Sequence, residues 1–177
     1  MKRKTKLGQY LNENKWGNIP EDFLEETAPL IWYIVQDFNL LDERLNEIIC
    51  EFISSRSHHI WAAVIYKMHF TAKVDLFYRL RREMELGIGW EIPILKSLVE
   101  DMKKCAILRN AVIHAEWENT DEENFTFINL NFNSENWMHQ QYEQFTPETL
   151  EKIDDFINET LEKSYTFEEQ ETEFLRR

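Results

Sequence analysis

Apolar residues recur at steps of three and four through most of this chain, and few helix breakers interrupt them. Leu30, Ile34, Phe38, Leu41, Leu45, Ile48 and Phe52 fall on one face of a helix turning every 3.6 residues. The pattern returns in Trp61, Ile65, Met68, Ala72, Leu76 and Leu80, and in Leu95, Leu98, Met102 and Cys105 or Ala106. Leu150, Ile153, Ile157 and Leu161 repeat it a last time. Four Gly and four Pro in 177 residues are too few for the turns of an all-β sandwich or barrel. The expected fold class is therefore all-α in the main.

The breakers set the boundaries. Residues 1–20 read as a basic, loosely ordered arm ending at Pro20, a good first-turn residue. Pro29 is expected to separate a short leading turn from the first long helix, and Ser54, Ser55 and Ser57 to end that helix. A break is expected near His69–Phe70, with Thr71 capping a helix that begins at Ala72 and stops at Gly87 and Gly89. Pro93 opens a third helix that runs on through LRNAVIHAEW, residues 108–117. The period then changes to two. Residues 125–132 and 137–145 read as a β-hairpin turning at Asn133–Asn136. Such a hairpin needs support from the helices, because two strands alone are barely stable. Thr146-Pro147 starts the final helix. No repeat or linker divides the chain, so residues 21–177 are expected to form one domain. Its architecture is an antiparallel bundle of long helices with one inserted hairpin at about 125–145.

Several function classes drop out. The basic start MKRKTKLGQY is followed by no apolar core of signal-peptide length. The densest apolar stretch, APLIWYIV at 28–35, is too short to span a bilayer. Cys50 and Cys105 stand apart in apolar helical settings and read as buried free thiols, which fits a cytoplasmic location and no membrane. His58 and His59 are adjacent and point in different directions on a helix, so no metal is expected there, and no cofactor elsewhere.

The formal net charge is −13, but it is unevenly placed. Residues 110–177 hold 17 acidic and 4 basic side chains, whereas residues 73–109 hold 8 basic and 6 acidic. The acidity argues against broad coating of nucleic acid. It leaves room for a narrow anion site near the mildly basic segment.

That segment leads into Leu108-Arg109-Asn110-Ala111-Val112-Ile113-His114, where three polar groups interrupt an apolar run. Asn110 and His114 lie four apart, on one helical face. Arg109 and His114 lie five apart, about 140° around an ideal helix. Either the long Arg side chain reaches round, or two copies of the helix pool their groups across a two-fold axis. Trp117 follows closely, where a base could stack, and Glu116 stands near enough to orient His114. The Trp residues at 32, 61, 90 and 137 read as core or interface.

Arg109, the polar Asn110 and, after three apolar residues, His114, late in a long helix of a mainly helical chain, resemble the HEPN superfamily. Its motif is an Arg separated from a His by four to six residues, usually with a polar residue after the Arg. TAKVDLFYRL at 71–80 is similar to the segment that often precedes the motif helix. The hairpin and TPETLEKIDDFI at 146–157 also have counterparts in bacterial members. The likeness extends over roughly residues 25–165.

The resemblance implies a metal-independent endoribonuclease acting on single-stranded or structured RNA. It implies a homodimer joined through the motif helices, with Arg109, Asn110 and His114 of both chains in one cleft. RNA carries its own nucleophile, the 2′-OH. An imidazole, titrating ordinarily near 6.5, can exchange a proton with it or with the 5′-oxygen. An Arg fork can hold the scissile phosphate. The products would be a 2′,3′-cyclic phosphate and a 5′-hydroxyl. A bacterial defence or toxin–antitoxin setting is implied, with an antitoxin as partner. In some HEPN toxins a Tyr that a partner nucleotidyltransferase modifies stands two positions after the His. Here that position is Glu116, so this mode of control is not implied. The alternative is a non-catalytic module that uses the same face to bind a partner protein, a nucleotide or structured RNA.

Overall fold

A computed structural model of the chain describes residues 2–6, 21–53, 63–89, 91–120, 125–133 and 137–175. The elements in chain order are β1 (Lys2–Lys6), α1 (Glu21–Ile53), α2 (Phe70–Ile88), α3 (Leu95–Ile113), β2 (Glu116–Thr120), β3 (Phe125–Asn133), β4 (Trp137–Gln144) and α4 (Pro147–Leu175). The protein is thus mainly α-helical. No helix among the described residues is long and apolar enough to cross a membrane.

Local chemistry explains most boundaries. Thr146 caps α4: its hydroxyl accepts from the Thr149 amide, while the Thr149 hydroxyl accepts from the Thr146 amide at 2.7 Å. Gly89 closes α2 in the left-handed conformation, φ 77°, with its amide donating to the Glu85 carbonyl. The break before α2 falls at His69, which is extended and makes no side-chain cap bond, so Thr71 is not the cap. Pro29 lies inside α1 rather than ahead of it. It is tolerated on an exposed face, where water can satisfy the Glu25 carbonyl that its missing N–H leaves open. The serines after α1, the His58–His59 pair and the centre of the hairpin turn lie outside the described residues.

Packing divides the chain into two compact units, 1–34 with 109–153 and 35–108 with 154–177. Neither is continuous in sequence, and their borders fall within helices, which is why no linker marks them.

The first unit holds the sheet. Its strand order is β1-β4-β3-β2, antiparallel throughout. The expected hairpin is β3–β4, running from Asn133 opposite Trp137 to Phe125 opposite Gln144. The register shifts between Phe127 and Asn129, where Ile128 is the extra residue of a bulge. Lys2–Lys6 is a strand where a loose arm is expected, pairing with β4 from Lys2 opposite Glu143 to Lys6 opposite His139. Phe23, Val112, Ala115, Phe125, Tyr142, Phe145 and Leu150 are buried in this unit.

The second unit is a helical bundle. Phe38, Leu41, Leu45 and Ile48 of α1 are buried, with Val74 and Phe77 of α2, Leu98 and Met102 of α3, and Ile157 and Phe167 of α4. Paired contacts give the directions. Phe38 meets Phe70 and Asp42 meets Lys73. Phe77 meets Phe167 and Arg81 meets Glu171, so α1, α2 and α4 run the same way and, among the described helices, only α3 is antiparallel, unlike the antiparallel bundle expected. That expectation rests on short connections, and residues 54–69 between α1 and α2 are not a short one. Asp101 binds Lys163 and Cys105 meets Thr160, so α3 runs against α4.

The α2 stripe is rotated from the apolar reading. Lys73, Val74, Phe77, Arg81 and Glu85 are buried, while Ala72, Leu76 and Leu80 are half-buried. Paired charges make this affordable. Lys73 binds Asp42 at 2.7 Å, and Arg81 binds Glu171 while its guanidinium lies 4.4 Å from the Phe52 ring. Glu85 accepts from the Ile92 amide at 2.7 Å and binds Arg82, tying the end of α2 to the approach to α3. Cys50 and Cys105 are buried free thiols, as expected. Burial pushes the Cys105 thiol up to about 11.

Candidate functional site at the end of the third helix

The motif closes α3. Helix and motif part company at Ile113: His114 lies in the turn beyond the last helical residue, and Glu116–Trp117 already belong to β2. The expected continuous helix through Trp117 is therefore two elements. A side chain helps to end it. The Trp117 indole N–H donates to the Val112 carbonyl at 3.1 Å, satisfying one of the open acceptors at the helix terminus.

The last turn still places Asn110 and His114 together. The His114 amide donates to the Asn110 carbonyl at 3.0 Å, so the two residues are one helical turn apart. Arg109 Nη1 donates to Asn110 Oδ1 at 3.1 Å, which steers the guanidinium toward the Asn110 side of the helix. Asn110 and His114 are exposed and Arg109 is half-buried. Asn110 and His114 thus stand at the surface of the first unit, while Arg109 lies partly within it, its Nε buried.

Trp117 is no stacking platform. Its ring packs 5.2 Å from Phe145 and 6.5 Å from Phe23, and its only N–H is engaged by Val112. It wedges the motif turn against the core. Thr120 extends the same support: its hydroxyl meets the Trp117 carbonyl at 2.8 Å and the buried Thr126 hydroxyl at 2.9 Å. Sequence reading missed Val112 and Thr120 as supports, because neither residue type carries a motif. Glu116 is exposed in β2.

The basic segment before the motif is less available than its count implies. Lys73, Arg81, Arg82 and Lys103 each bind a carboxylate of their own unit. Lys104 lies 4.1 Å from the centre of the Phe156 ring. Among the described residues, no three His, Cys, Asp or Glu side chains gather as a metal site requires. A shallow groove lined by Glu168, Glu169, Thr172 and Glu173 contains none of the motif residues.

No family model matches the chain, and no curated protein or solved structure matches it.

Proposed function

We propose that this protein is a metal-independent endoribonuclease of HEPN type whose site is Arg109, Asn110 and His114, completed by the same residues of a second copy. The observation that carries the reading is the exposure of Asn110 and His114 on one turn, with Arg109 held beside Asn110. In the reaction, the 2′-oxygen attacks phosphorus as the 2′-OH proton passes to one imidazole. The bond from phosphorus to the 5′-oxygen breaks, and a second imidazole, protonated, supplies the proton to that oxygen. The Arg109 guanidinium offsets charge on the phosphoryl oxygens. The buried free thiols favour a cytoplasmic setting, and an antitoxin is the expected regulator in a defence or toxin–antitoxin system.

The test is cleavage of single-stranded RNA with end-group analysis. Wild-type protein should cut in EDTA and leave a 2′,3′-cyclic phosphate. His114→Ala and Arg109→Ala should each lower the rate by at least about 10²-fold, with the helical circular dichroism unchanged. Cleavage only with added Mg²⁺, or normal cleavage by the His114 variant, would overturn the mechanism. The pairing of Lys73, Arg81, Arg82 and Lys103 favours a second reading, a binding module without cleavage, because these cations of the basic segment are already engaged by carboxylates. RNA binding without any cleavage would select it.

A further inference from the structure

The first turns of α1 present an uncovered face of unusual composition. At about 100° per residue, Asp22, Glu25, Glu26, Pro29, Trp32 and Tyr33 fall within an arc of roughly 120°. All six are exposed, Trp32 by 60% and Tyr33 by 53%. Trp32 and Tyr33 are successive residues, so their exposed rings adjoin on this face, and adjoining exposed rings are a candidate contact surface. Among the described residues, no ion pair engages the three carboxylates. Pro29 adds a further acceptor. It has no N–H to offer the Glu25 carbonyl, so that oxygen lacks its usual helical donor.

Two electron-rich rings, three carboxylates and a carbonyl without its helical donor form a receptor for cations, with no ion-pair partner among the described residues. A second copy of this chain is a poor occupant, because an isologous contact would set the same carboxylates against themselves. Nucleic acid fits worse: its bases could stack on the rings, but its phosphates would meet Asp22, Glu25 and Glu26. A guanidinium suits each kind of group present, and the face extends about 16 Å along the helix, so a segment with more than one arginine is needed to cover it. The guanidinium plane stacks on Trp or Tyr, and its N–H donors bind carboxylate or carbonyl oxygens. We infer that the Asp22–Tyr33 face of α1 docks an arginine-containing basic segment of a partner protein. This inference stands apart from the ribonuclease reading and uses none of Arg109, Asn110 or His114.

Fluorescence anisotropy with a labelled nona-arginine peptide tests it on the full chain. Binding should be seen at low salt, and nona-lysine should bind several-fold more weakly, since an ammonium does not stack as a guanidinium does. Trp32→Ala and Glu25→Lys with Glu26→Lys should each weaken nona-arginine binding about tenfold or more. All these positions are exposed, and circular dichroism checks that the variants fold. Glu159→Lys with Glu162→Lys makes the same charge change elsewhere and should weaken binding less than twofold. Equal weakening by both charge reversals would reduce the effect to net charge and overturn the inference. Unchanged binding by Trp32→Ala would do the same, as would its conversion of a dimer to a monomer in sedimentation. Cleavage of RNA by the Trp32 variant should match wild type, so failure here and failure of the ribonuclease reading are separately visible.

Discussion

At the scale of single residues, the buried charges decide more than the apolar stripes do. Arg44 lies between Glu47, at 3.1 Å, and Glu168, with its guanidinium 4.5 Å from the Tyr165 ring. Asp154 is a different case. It faces Asp37, which already accepts from Asn158 Nδ2 at 2.6 Å. Burial, then repulsion from Asp37, holds the Asp154 carboxyl up at about 6 instead of 3.8. A folded value above the unfolded one means that the stabilisation is complete in acid and is lost as the pH rises through about 6. Asp154→Asn should therefore stabilise the protein at pH 7, on the order of 1 kcal/mol after allowance for solvent screening, and change little at pH 4. Thermal melts at the two pH values check this, and an equal gain at both would refute the assignment. The sequence shows Asp154 as one acid among many on an acidic helix. Its partner Asp37 is on another helix, beyond the reach of any local pattern.

Among the elements, α2 shows how far local signals reach. Gly87 and Gly89 look alike in sequence as stop signals, yet only Gly89 has the left-handed backbone, and Gly87 lies within the helix. A Cβ at either position meets nothing within 4 Å, so conformation alone separates them. Gly89→Ala should lower stability by about 1 kcal/mol, and Gly87→Ala should raise it by about 0.5–1 kcal/mol. Urea unfolding of both variants reads the opposite signs directly, and a loss in both would place the helix end earlier. The α2 stripe itself was legible in period but not in phase. Its buried side includes Lys73, Arg81 and Glu85, which an apolar pattern assigns to water. They go inside because Asp42, Glu171 and the Ile92 amide meet them there. The end of α3 was likewise misplaced by a few residues, because the indole of Trp117 folds back onto the helix end from β2.

For the whole molecule, the question is where a formal charge of −13 resides. Part of it is internal: Glu168 and Glu171 of α4 turn toward Arg44 and Arg81. The acidic last helix is therefore not simply a solvated face. The exposed remainder should repel itself, so the melting temperature should rise as NaCl goes from about 10 to about 100 mM and the Debye length falls from about 30 to about 10 Å. A fall over that range would mean that the ion pairs contribute more than the repulsion removes.

The sequence by itself determined the helices, the β3–β4 hairpin, the free thiols and the Thr146 cap. Each follows from residues close together in the chain, where period, turn chemistry and spacing act directly. It also singled out Arg109, Asn110 and His114, because three polar groups in an apolar run need a reason. Tertiary structure alone decided which faces are buried, which carboxylate meets which cation, and that Lys2–Lys6 joins β4. It also decided that Trp117 supports the motif turn from the core while Trp32 stands open on α1. Those outcomes depend on partners tens of residues away, and whether a side chain is satisfied or left to solvent is a property of the pair, not of either residue.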